Sequence, residues 1–124
     1  MSKYLDLSLV EINELLKSKK IRPKDLVLEA FDRIEANKDL NAFITLDREG
    51  ALKRAEELET KDADNILFGL PIAVKDNVCT KGLRTTCASK ILENFIPIYN
   101  ATVVEKINAN NMIIIGKTNM DEFA

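Results

Sequence analysis

Histidine is absent from the 124 residues. Without an imidazole, the chain by itself cannot form a Ser-His-Asp or Cys-His site, and the commonest transition-metal ligand is missing. Any base that works near neutral pH must be a shifted lysine, carboxylate or cysteine. A field of one sign is also lacking. Lys and Arg number 18 against 20 Asp and Glu, a net charge of −2, so charge alone supplies no nucleic-acid footprint. Cysteine is scarce, with only Cys79 and Cys87, and residues 1–7 are too short and polar for the apolar part of a secretory signal. Both features point to a reduced, cytoplasmic protein. The apolar run at 112–115 falls far short of the roughly 20 residues that cross a bilayer, so no membrane association is expected. What is present is ordinary: 46% hydrophobic and 31% charged residues over one domain's length, enough for a soluble core.

Periodicity divides the chain. Ser8 and Glu11 have capping-box spacing, which predicts a helix from residue 9 to about 17 with Ile12, Leu15 and Leu16 on its apolar face. Pro23 sits where a first helical residue belongs, and Val27, Phe31 and Ile34, with Leu26 and Ala30 beside them, predict a second helix to about residue 36. Residues 42–46 are short and β-rich, hence a strand. A third helix is expected from about 48 to 60, burying Ala51, Ala55 and Leu58 beneath a solvated charged face, and residues 61–65 read as a turn. A strand follows over 71–75. Residues 76–99 lack periodicity and read as a long loop with a short segment near 89–93; loops of this length in compact domains are usually functional. Asn100 would cap a helix over 101–109, with Val103, Val104 and Ile107 inward and Asn110 or Asn111 ending it in the left-handed region. The run 112–115 reads as a buried strand, giving a strand-helix-strand crossover in a parallel or mixed sheet. Thr118 or Asn119 would then cap a further helix with Asp121 and Glu122 in its first turn, so the sequence reads as cut from a longer polypeptide.

The stretch 69–77, G-L-P-I-A-V-K-D-N, organises the rest. It places Lys75 at a strand end, from which a side chain can leave a packed sheet and enter a cleft. Such a lysine beside an aspartate is as a rule solvated or ion-paired. To act as a base, a lysine must fall from about 10.4 toward 7 or 8, which needs desolvation and no close carboxylate. Ile72 and Val74 could supply a dry wall, and Asp76 would have to point away. Other candidates carry plainer alternatives. Cys87 could be a nucleophile only with a lysine to activate it, or a packing thiol. Thr85, Thr86 and Ser89 could bind substrate or satisfy an irregular loop. Gly116-Lys117-Thr118 imitates the tail of a phosphate loop. However, position 111, where the first glycine belongs, is Asn111, and 112–115 is strand-like, so that match is set aside.

Four segments together, F-G-L-P-I-A-V-K-D-N (68–77), T-K-G-L-R-T-T-C-A-S-K (80–90), N-A-T-V-V-E-K (100–106) and I-I-I-G-K-T-N-M-D-E-F-A (113–124), resemble the amidase signature family. Within it, the likeness is greatest to glutamine-hydrolysing subunits that serve tRNA amidation. R-P-K-D-L-V-L-E-A-F (22–31) and L-N-A-F-I-T (40–45) extend it over essentially the whole chain. The resemblance implies an α/β fold, with N-terminal helices followed by the first strands and helices of a truncated mixed-sheet amidase signature fold. Residues 1–124 would be the N-terminal part of a single amidase domain, 1–65 a mainly helical lead-in and 66–124 the first core strands, long loop and crossover helix. It further implies a Ser-cis-Ser-Lys triad with Lys75 as its lysine. The family's two serines lie in Gly/Ser-rich segments that do not occur here, and Ser89 matches neither motif, so the isolated chain is expected to lack activity.

The implied partners are two other amidotransferase subunits, Glu-tRNA(Gln) reached through the complex, and glutamine as substrate. ATP and Mg would serve the complete complex, and no cofactor or metal is expected in this chain. A free-standing amidase acting on a small amide and a non-catalytic interaction module are the alternatives. Exposed apolar surface and a tendency to associate are expected of a partial fold.

Overall fold

Ser8 begins the first helix as its spacing requires. In the computed structural model, which describes residues 3–124, the Ser8 hydroxyl accepts from the Glu11 N–H at 3.3 Å, and the Glu11 carboxylate accepts from the Ser8 N–H at 2.9 Å. Two orphan donors of helix α1 (Leu9–Lys17) are thereby satisfied. Pro23 opens α2 (Pro23–Ala36), where its missing N–H costs nothing. Helix α3 (Arg48–Leu58) follows strand β1 (Phe43–Leu46) and is capped by Asp47. The predicted apolar stripes turn inward: Ile12 and Leu16, then Leu26, Val27, Ala30 and Phe31, then Ala51, Ala55 and Leu58 are buried, with Leu15 and Ile34 partly buried against them. They form one core with Ile113 and Ile115.

Strand β2 (Pro71–Lys75), helix α4 (Thr102–Ala109) and strand β3 (Ile113–Thr118) make the expected crossover, with β2 and β3 parallel. The sheet order is β1-β3-β2, and β1 pairs antiparallel with β3. On the face opposite α1–α3, Val74, Val104 and Ile107 form a second, smaller apolar cluster against which Ile72 and Ile114 pack. The register determines which way the two strand-end lysines face. Ile72 pairs with Ile114 but Ala73 pairs with Gly116, so Ile115 is an extra residue in β3. A bulge of this kind changes which face the later residues occupy. Lys117, opposite Val74, shares the α4 face, whereas Lys75, opposite Thr118, lies on the other. Gly116 is required at the bulge because a Cβ there would stand 2.5 Å from the Thr45 carbonyl oxygen.

Several local expectations are corrected. Helix α4 has Ala101, not Asn100, at its cap; the Asn100 carboxamide instead accepts from the Lys81 N–H at 2.7 Å and ties the long loop down. Val103 is exposed while Val104 and Ile107 turn inward, since a helix of eight residues presents only one narrow face to the sheet. Strand β3 continues through Gly116, Lys117 and Thr118 because β1 and β2 flank it on both sides over those residues. Thr118 therefore caps no helix, and the residues after it form only a bend and a turn over 121–123. Asn111 does take the left-handed conformation after α4, with φ of 58°. The loop holds a short 3-10 turn, Lys90–Leu92. Ile91, Ile96, Ile98 and Tyr99 of this loop are exposed, as are Leu40 and Val10, in keeping with the expected apolar surface. Among the described residues no helix is long and apolar enough to cross a membrane.

Candidate active site at the end of strand β2

Strand β2 ends at Lys75, as the sequence pattern predicts. The side chain is exposed, and among the described residues no hydrogen bond or ion pair engages its ammonium group. The backbone turns at once, the Lys75 carbonyl accepting from the Val78 N–H at 3.0 Å. Of the two conditions set for a lysine base, the arrangement meets one. Asp76 is wholly buried, on the opposite side of the strand from Lys75 by the alternation of the chain. The expected dry wall does not adjoin Lys75, because Ile72 and Val74 pack toward α4 while Lys75 faces the other way.

Beneath that strand end lies a buried polar cluster. The Asp76 N–H extends the ladder by donating to the Thr118 carbonyl at 3.2 Å. One carboxylate oxygen of Asp76 accepts from the Thr86 N–H at 3.1 Å and from the Thr86 hydroxyl, and the Asp76 carbonyl accepts from the Cys87 N–H at 2.9 Å. Lys117, also wholly buried, donates to the Val78 carbonyl at 2.7 Å and to the Thr85 hydroxyl at 2.8 Å. Its Nζ stands 3.9 Å from Asp76 Oδ1, an oxygen without a hydrogen-bond partner among the described residues. Burial pushes the Lys117 ammonium below its ordinary range, while the Asp76 carboxylate and the sulfurs of Cys79 and Cys87 pull the other way.

These contacts decide between the alternatives left open for the loop. The hydroxyls of Thr85 and Thr86 are spent on Lys117, Asp76 and the loop's own backbone: Thr85 donates to the Leu83 carbonyl at 3.0 Å, and Thr86 accepts from the Ala88 N–H at 3.2 Å. Ser89 donates to the Glu122 carboxylate at 2.9 Å and accepts from the Ile91 N–H at 3.3 Å. The hydroxyl cluster therefore builds the loop. Cys87 is half-buried, with a positive φ of 52°. Arg84 fastens the loop to β1, donating to the Thr45 hydroxyl at 3.1 Å and the Ile44 carbonyl at 3.3 Å. No group of three or more His, Cys, Asp or Glu among the described residues could hold a metal ion.

Lys117 is the residue that sequence reasoning passed over. Gly116, Lys117 and Thr118 are strand and form no phosphate loop. The available signal was a lysine directly continuing an apolar strand, where it must meet an acceptor inside the fold.

Residues 25–124 match the protein-family model described as Amidase. The chain belongs to the amidase family. This amidase chain is 53% identical, over 98% of its length, to the A subunit of glutamyl-tRNA(Gln) amidotransferase from Pediococcus pentosaceus, and 50% identical over its whole length to the subunit of that name from Oenococcus oeni. It spans about a quarter of those relatives, 26% in both cases. Among solved structures, the peptide amidase of Stenotrophomonas maltophilia superposes on 98% of the chain with a TM-score of 0.89 and 26% identity, the match covering 26% of that enzyme. An amidase family protein of Bacillus anthracis superposes with a TM-score of 0.88 and 25% identity, over 98% of this chain and 25% of its own. The α/β arrangement of helices and mixed sheet is thus an amidase arrangement.

Proposed function

We propose that this chain forms the part of a glutamine-hydrolysing amidotransferase A subunit that carries the base, Lys75. The observation that carries the reading is the 53% identity, over 98% of the chain, to a relative named as the A subunit of glutamyl-tRNA(Gln) amidotransferase. The lack of histidine fits a serine-lysine mechanism. In that mechanism Lys75 removes the proton of a bridging serine, and this serine activates a second one to attack the glutamine carboxamide. The released ammonia passes to a partner subunit, where ATP-activated Glu-tRNA(Gln) is amidated in the cytoplasm.

The three described serines are occupied elsewhere: Ser8 with Glu11, Ser18 with the Leu15 carbonyl and Ser89 with Glu122. We therefore assign both triad serines to segments other than residues 3–124, within the single amidase domain of which these residues form the leading part. The isolated chain is then inactive on glutamine. ATP and Mg are assigned to the complete heterotrimeric complex.

The test is a chimera in which this chain replaces the matching quarter of the Pediococcus protein, assembled with that organism's two other subunits. Glutamine-dependent formation of Gln-tRNA(Gln), lost on Lys75→Ala, is the expected result. Full amidation by the Lys75→Ala chimera would overturn the assignment. The likeness to a peptide amidase supports a second reading, a free-standing amidase. A chimera that cleaves small amides yet never associates with the partner subunits would favour it.

A further inference from the structure

The chemistry assigned to Lys75 makes no use of the buried pair beside it. We propose that Lys117 is a positioning residue for Lys75, holding the Asp76 carboxylate on the far face of the sheet and so away from the Lys75 amine; this rests on the reading of Lys75 as the base. Lys75 and Asp76 are chain neighbours, and a carboxylate close to a lysine keeps that lysine protonated. Asp76 is kept from doing so by where it is buried, and a buried carboxylate persists only when its charge is compensated. One of its oxygens is served by Thr86, but the other has no hydrogen-bond partner among the described residues and is ion-paired with Lys117 at 3.9 Å.

Lys117 is suited to that task and to little else. It is wholly buried, it spends two donors on Val78 and Thr85, and its ion-pair partner is the Asp76 carboxylate. The bulge at Ile115 brings it to this face of the sheet. Were its charge removed, the Asp76 carboxylate would be stranded in the interior. Its chain neighbour Lys75 is exposed, with an ammonium that makes no competing ion pair among the described residues, and the released carboxylate would turn toward that cation. The carboxylate would settle there and hold the proton that a base must give up.

The test reads the Lys75 amine directly in the 124-residue protein. Acetylation by acetic anhydride at a fixed pH near 8 is followed by peptide mass spectrometry, with the exposed Lys53 of α3 as internal reference. Lys117→Met should slow Lys75 by about threefold or more. Asp76→Asn/Lys117→Met should return the rate to within about twofold of the parent, because no carboxylate remains to be released. A folded Lys117→Met protein with the parental rate would overturn the proposal. So would a double variant reacting more than about threefold faster than the parent, since Asp76 would then already act on Lys75 in the native protein. If circular dichroism shows Lys117→Met to be unfolded, the double variant decides alone. An active Lys75→Ala chimera would remove the catalytic reading without changing these rates, so the two failures are distinguishable.

Discussion

The two faces of the sheet are filled by different chemistry. Toward α1–α3, Ile113 and Ile115 meet Leu26, Val27, Phe31 and Leu58 in an apolar core. Toward α4 and the long loop, a small apolar cluster around Val104 gives way, at the strand ends, to Asp76, Thr85, Thr86 and Lys117, all buried. The first face depends on volume and tolerates any well-packed apolar set. The second depends on matching each buried charge and hydroxyl to a partner, so losing one member harms it more than losing two matched members. The proposed catalytic lysine stands at the rim where these two regimes meet.

Removing one charge of the buried pair should separate the faces most sharply. Lys117→Met is expected to cost about 3–5 kcal/mol in urea unfolding, as for other broken buried pairs, with Asp76→Asn/Lys117→Met recovering most of it. A double variant no better than the single one would show that packing, not pairing, governs this face. On the apolar face, Leu26→Ala should cost about 2–5 kcal/mol through lost burial and a cavity, and no second substitution at a polar position should repair it. The faces should also differ in pH response. Because burial holds Lys117 below its ordinary value near 10.5, the unfolded chain binds more protons than the folded one as pH approaches that value. Stability relative to the Asp76→Asn/Lys117→Met protein should therefore rise with pH in that window and be flat below it, whereas the Leu26→Ala difference should not vary. Smallest of these, Ser8→Ala should cost about 1 kcal/mol by exposing the first turn of α1, with no effect on the loop.

How much of this was legible in the sequence follows the same division. Helices α1, α2 and α3 and strand β2 lie where apolar spacing and the Ser8 and Pro23 signals place them, since a face that seals by burial must repeat with its helix or strand period. Lys75 at the strand end was legible for the same reason. The polar side was not. Its partners Asp76, Thr86 and Lys117 are far apart in the chain, and the bulge that turns Lys117 toward them leaves no periodic mark. Asn100 likewise has the composition of a helix cap, but a backbone N–H of the loop, that of Lys81, claims its side chain. Gly116, Lys117 and Thr118 have the composition of a phosphate-loop tail but are strand, and a lysine within a strand carries no spacing that names its buried acceptor. The helix expected after Thr118 failed because β3 runs on through that residue.

The central claim is that Lys75, and not the buried Lys117, is the base. Ammonia released from glutamine by the chimeric A subunit tests it most directly. Lys75→Ala should lower the rate by about 100- to 10 000-fold, the range for loss of a general base, while the folded Asp76→Asn/Lys117→Met protein keeps a rate close to the parent's. A Lys75→Ala chimera that releases ammonia at the parental rate would contradict the account.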